Sequence, residues 1–365
     1  MIVVIFCSIL AMLLTYLDSE GKLRNGMVLS FVLLAFLGVI HYDYGNDYMA
    51  YYNIYNSIVD YKASVTDVLS GDVYKDVGWT ILCLLFSHLG GFFVLVAAIS
   101  ILENYTYYIL IKKFVPHKHW TFALFIYLFN YTYYLLNFSM LRQGLAIALG
   151  VMAIILYKKT THKYILPILL LFVAFSIHSS SLICSLAYIL CLFQYKDTKT
   201  LSIILSVLFV VFILSRDFMV SFIEPFLVFD TFDGFLEKYS ERGQVSGLGL
   251  LFLVNSIPLF VAASLYYKRT ALSSDEKHLL LLASIGVIIV PFSTIALMIS
   301  RLAIYFSVFS IAAFPIMYSK ITNQSLRIGL VALFITSQLY SYYDFFTSKT
   351  YGIPYSDFTT IFSVL

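Results

Sequence analysis

Two arginines, Arg142 in "NFSMLRQGLA" and Arg301 in "LMISRLAIYF", stand where long apolar runs begin or end. A guanidinium is permanently charged and presents a planar fork of donors that matches two phosphate oxygens. Snorkelling to lipid headgroups explains either arginine alone; two of them in tight junctions point to a shared anionic ligand. Groups able to take a proton from a hydroxyl lie at similar junctions: His41, Asp43 and Asp47 in "VIHYDYGNDYMAYYNIY", and His178 in "FSIHSSSL". The alternatives are a solvated interfacial loop with belt tyrosines for the first stretch and a satisfied buried histidine for His178. As a helix, the first stretch would put Asp43 and Asp47 on one face, whereas Gly45 and Asn46 favour a turn. Arg242 in "YSERGQ" is a third candidate for the anion. Its neighbours Glu224, Asp230, Asp233 and Glu237 are either bases or solvated faces. Glu103, in "AISILENYTYYIL", is a carboxylate well inside an apolar run, fit for an ion relay or for a hydrogen bond to a neighbouring helix.

Other chemistries lack their motifs. There is no D-x-D, H-E-x-x-H, G-x-S-x-G, Walker loop or Rossmann glycine set, so neither a metal site nor a cofactor is expected. Cys7, Cys83, Cys184 and Cys191 lie singly in apolar stretches, as packing residues do. No Lys/Arg run exceeds two residues, and the net charge of +3 gives no reason to expect nucleic acid.

The elements that must position these groups are membrane helices. The 365 residues are 61% hydrophobic and 12% charged, a composition that no soluble core of this size could bury. Apolar runs at 1–17, 27–41, 92–111, 120–138, 141–157, 164–177, 179–195, 199–215, 247–267, 278–298, 301–318 and 326–345 predict an all-α polytopic protein of about twelve transmembrane helices. The amino terminus lacks a basic n-region and reads as a retained span. Stretch 77–90 decides the orientation. If it lies in the interface rather than crossing, fifteen of the 23 basic residues fall on one side, the cytoplasm, and fourteen of the 20 carboxylates on the other. The chain then reads as a single transmembrane domain, 1–365. Its two long external segments, 42–91 and 216–246, form an outer-face site, and 77–90 is an external interfacial helix.

Six short motifs run in one order along essentially the whole chain: "GNDYMAYYNIY" (Gly45, Asp47, Tyr48), "KDVGWTILCLLFSHLGGFF", "LRQGLAIAL" (Arg142, Gln143), "FSIHSSSL" (His178, Ser180), "SRLAIYF" (Arg301, Tyr305, Phe306) and "GIPYSDFTTIF" (Pro354, Tyr355). Together they resemble the EpsG family of polytopic membrane proteins, related in role to Wzy polysaccharide polymerases; "GND" departs from the family's more usual glycine-threonine-aspartate. The resemblance implies a GT-C-like scaffold in the bacterial cytoplasmic (inner) membrane, with its active face extracytoplasmic. It implies a metal-independent glycosyltransferase that polymerises undecaprenyl-diphosphate-linked oligosaccharide repeat units. On that expectation Asp43, Asp47 or His178 is the base, and Arg142, Arg301 and Arg242 hold the diphosphate. His41, Tyr48, Gln143, Tyr305 and Tyr355 meet the substrate. The partners would be the lipid-linked glycan donor and acceptor, membrane lipid, and a chain-length regulator and flippase of the same pathway. A lipid-linked oligosaccharide flippase and an O-antigen ligase are the alternatives: the first should carry charge along a path through mid-membrane, and the second shares the donor chemistry.

Overall fold

The structure, a computed structural model, describes residues 1–61, 64–159, 164–214, 250–290, 297–347, 355 and 357–363. Those residues are overwhelmingly helical and pack as two compact units, Met1–Ile189 with Gln338–Leu365, and Leu190–Ser337.

The first unit begins with α1 (Ile2–Ser19) and α2 (Gly26–Ile40). Their faces are reversed relative to a soluble helix. On α1 the buried positions are Val4, Ser8, Ala11 and Thr15, while Ile2, Phe6, Ile9 and Leu13 are exposed. Small and polar side chains inside let two backbones approach and bond, with large apolar ones left for lipid. Thr15 Oγ1 donates to Ser30 Oγ (2.9 Å), and Ser30 Oγ to the Ala11 carbonyl (2.6 Å). Next come α3 (Tyr48–Asp60), α4 (Val65–Ser70), α5 (Val77–Leu89) and α6 (Phe92–Phe114). At 13 residues, α5 is about 20 Å long, short of a hydrocarbon core of about 30 Å. The face of α3 made by Tyr48, Tyr51, Tyr55 and Ile58 joins one core with Trp79 and Cys83 of α5 and with Phe92, Leu95 and Ile99 of α6.

The expected run 120–138 is broken. α7 (Trp120–Phe129) stops at Asn130, whose Oδ1 accepts from Thr132 N–H (3.1 Å) and Thr132 Oγ1 (2.6 Å), and a single turn, α8 (Tyr134–Asn137), follows. An asparagine that bonds the backbone two residues on competes with helix continuation. α9 (Leu141–Lys159), α10 (Ile165–Ile177) and α11 (Leu182–Leu192) complete the series, with one 3-10 turn, Ser179–Ser181, between the last two. Strand β1 (His41–Tyr42) pairs antiparallel with β2 (Thr359–Thr360), in the register His41 to Thr360. That pairing ties the carboxyl-terminal stretch to the end of α2.

The second unit contains α12 (Thr198–Leu214), α13 (Leu250–Tyr267), α14 (Ser274–Ile289), α15 (Leu297–Ser307), α16 (Ser310–Ser319) and most of α17 (Gln324–Thr347). Polar side chains again pin helix to helix: Thr198 Oγ1 to the Tyr266 carbonyl (2.8 Å) and Ser202 Oγ to that of Ala263 (2.7 Å). The run expected at 301–318 is bent by 45° between α15 and α16.

A helix lies on each of the twelve apolar runs among the described residues. Among the described residues Ile2–Ser19, Phe92–Phe114 and Leu141–Lys158 are long and apolar enough to cross a bilayer singly, and the bent pair makes a fourth if its two helices form one span. Twelve crossings do not follow from helix positions alone. The external segment expected at 216–246, with Arg242, Glu224, Asp230, Asp233 and Glu237, lies outside the described residues.

Candidate functional site

In the first unit, five of the six motifs converge at one end of the helices. Gly45, at φ 108°, takes the turn between β1 and α3. A Cβ there would lie 2.7 Å from Ser139 Cβ and 3.0 Å from the Tyr355 hydroxyl, so the glycine is what lets three distant stretches touch. Asp47 N–H donates to Ser139 Oγ (2.9 Å), which holds the amino end of α3 against the residues just before Arg142. Gly78 does the same for α5 and α10: a Cβ would run into Ser176 Oγ and lie 2.7 Å from the Ser176 carbonyl carbon. The turn reading of "DYGND" is therefore correct for the backbone, and Asp43 also takes a left-handed conformation, at φ 46°.

Arg142 sits at the second position of α9 with its side chain 12% exposed, and its Nη1 is paired with Asp76 Oδ2, a carboxylate only 6% exposed. The guanidinium lies over two tyrosine rings, 5.4 Å from the centroid of Tyr51 and 5.0 Å from that of Tyr74, a cation–π box around the ion pair. Asp76 precedes α5, yet its side chain caps no helical N–H; it turns to Arg142 and also accepts the backbone N–H of Ser179. Burial pushes the Asp76 carboxyl above the usual carboxylate range, and Arg142, Lys75 and the Ser179 N–H pull against that rise. Two buried donors in this cluster meet no acceptor: Arg142 Nε–H and the indole N–H of Trp79. Both belong to residues packed on the Tyr51 ring. A buried N–H without an acceptor costs about 1–3 kcal/mol, and here one belongs to the cation itself and the other to the indole on the same tyrosine ring.

The other expected residues occupy different surroundings. His178 is half-buried and ends α10 directly before Ser179, beside Asp76. Asp43 is exposed and Asp47 half-buried. His41 is fully buried; its Nδ1 lies 2.6 Å from the Gly38 carbonyl oxygen and its Nε2 3.2 Å from that of Phe138, so the ring links α2 to the end of α8. Tyr48, Gln143 and Tyr355 are buried too. Tyr48 stacks edge-on with His41 at 4.9 Å, and Tyr355 with Tyr44 at 5.1 Å. Arg301 and Tyr305 lie on α15 of the second unit, Arg301 half-buried and Tyr305 buried. Arg242 is outside the described residues. The residue that sequence reasoning missed is Asp76. Its signal was a lone aspartate directly ahead of a glycine-aromatic helix, which reads as a helix start before it reads as a partner for an arginine 66 positions on. Among the described residues no cluster of His, Cys, Asp and Glu has the makings of a metal site.

Helices that turn large apolar residues outward, with a buried ion pair at one end, define a polytopic, overwhelmingly helical membrane protein. Residues 25–357 match the model of the EpsG family, and the chain belongs to that family. No curated protein and no solved structure matches it.

Proposed function

We propose that the protein is a glycosyltransferase that polymerises undecaprenyl-diphosphate-linked repeat units at the outer leaflet of the bacterial cytoplasmic membrane. The observation that carries the reading is Arg142: a cation with an unused donor, held where five motif segments of an EpsG-family chain meet. A growing glycan would be the donor, joined by its anomeric carbon to a lipid diphosphate, and a hydroxyl of the next repeat unit would attack that carbon. Charge then accumulates on the departing diphosphate, where a preorganised guanidinium in a water-poor site is most effective. The proposal needs no metal ion. Tyrosines and aspartates at the same helix ends suit sugar hydroxyls. Arg301 and Arg242 enter as further diphosphate ligands, and the GT-C-like scaffold and pathway partners enter likewise, on the sequence argument alone.

The test is deletion of the gene in its host, with surface glycan and lipid-linked intermediates both resolved by size. Loss of long chains while single repeat units still reach the outer leaflet or their final acceptor is the expected result. Single units trapped in the inner leaflet would identify a flippase instead, and full-length chains stranded on the lipid carrier a ligase.

A further inference from the structure

We propose that Asp76 is the group that takes the proton from the attacking hydroxyl, and that the donor's diphosphate frees it for that task by engaging Arg142. This rests on the polymerase reading and names the base within it. Asp76 is the carboxylate that touches Arg142, it is nearly buried, and the Ser179 N–H fixes its orientation. Asp43 is exposed and Asp47 half-buried, in less apolar surroundings than a base working beside a lipid diphosphate would need. The charged and titratable groups facing Asp76 come from four places: Arg142 on α9, Tyr51 on α3, Tyr74 and Lys75 just ahead of α5, and the His178–Ser179 junction after α10.

Without donor, Arg142 neutralises Asp76 and the carboxylate is a poor base. An arriving diphosphate draws on the same guanidinium, including the Nε–H that donates to nothing here. Asp76 then loses counter-charge in a buried place, where an uncompensated carboxylate binds protons more avidly. In the transfer the acceptor's O–H proton goes to the Asp76 carboxylate and the acceptor oxygen bonds the anomeric carbon. The bond from that carbon to the diphosphate oxygen breaks, its electron pair leaving with the diphosphate beside Arg142. The base is thus unmasked only when there is a donor to attack.

The experiment uses the full chain in lipid nanodiscs, undecaprenyl diphosphate as binding probe, and the host's lipid-linked repeat unit for elongation. In Asp76→Asn, elongation should fall about a hundredfold or more, while the probe binds as tightly as to wild type or tighter, because its competitor for Arg142 has gone. Asp76→Glu should restore part of the rate. Wild-type elongation by Asp76→Asn would overturn the proposal. So would a parallel loss of probe affinity and elongation, which would make Asp76 only an anchor for the arginine. If Asp76→Asn does not yield folded protein, the pH–rate profiles of wild type and Asp76→Glu decide. The wild-type rate should rise with pH through one deprotonation above the ordinary carboxylate range, displaced in the glutamate variant. A flat profile from about pH 4 to 8 would refute it. Wild-type protein that neither binds the probe nor elongates would instead sink the polymerase reading, and the role of Asp76 with it.

Discussion

Two acidic side chains are buried among the described residues of the first unit, and their surroundings differ in kind. Asp76 sits at a helix end with a guanidinium against it, two tyrosine rings beside that cation and a backbone N–H on the carboxylate. Glu103 sits halfway along α6, 1% exposed, at a cavity of about 10 Å³ shared with Gly38, Ser100, Asn104, Tyr134, Asn137 and Phe138. That is room for about one water. Among the described residues Glu103 takes part in no ion pair, and its Oε1 has no hydrogen-bond partner. Its neighbour Asn104 makes the cross-helix bond, accepting from the Tyr127 hydroxyl at 3.3 Å. The first carboxyl is compensated by opposite charge, whereas the second borders only neutral groups and a small space. A partner that depends on a buried charge is stranded when the charge is removed; neutral surroundings are not.

That contrast orders the expected effects. The largest belongs to Arg142→Ala, which leaves Asp76 buried without its cation: stability should fall by about 3–5 kcal/mol in a detergent unfolding assay, and long glycan chains should disappear from the cell surface. A loss under about 1 kcal/mol would mean that the pair behaves like an exposed one. Gly78→Ala should come next, at about 1–3 kcal/mol. It forces α5 off α10 where Gly78 meets the Ser176 backbone, and so moves Asp76 relative to Ser179. Unchanged unfolding in that variant would show that the contact has slack. Ser139→Ala removes the acceptor of the Asp47 N–H and should cost about 1 kcal/mol, read as a small drop in melting temperature with chain length largely kept. The smallest effect is expected from Glu103→Gln. With no cation to strand, it should stay within about 1 kcal/mol of wild type and leave glycan length unchanged. Shortened chains there would erase the comparison and give the mid-helix cavity a role in the reaction.

Helix positions were legible because an apolar run of bilayer length has few other fates, and the turn at Gly45 because "YGND" disfavours a helix. The break at Asn130 was written in "FNYTYY" but hidden by the surrounding aromatics, whose hydropathy runs on through the asparagine. Arg142 stood out as a charge at the edge of an apolar run. Its partner did not, because Asp76 carries the ordinary mark of a helix start. For Glu103 the expected cross-helix bond belongs to the residue beside it.

What the sequence determined by itself is the class of molecule and the family: hydropathy obliges these segments to be helices in lipid, and five of the six motifs, with Pro354 and Tyr355 of the sixth, lie within the range that the EpsG model matches. Tertiary structure alone decided which polar groups compensate one another. The Arg142–Asp76 pair, the strand pairing of His41 with Thr360 and the meeting of Gly45, Ser139 and Tyr355 join residues far apart in the chain. Periodicity and propensity act over a few turns of helix, whereas a buried charge is settled by whichever distant group the packing brings within reach.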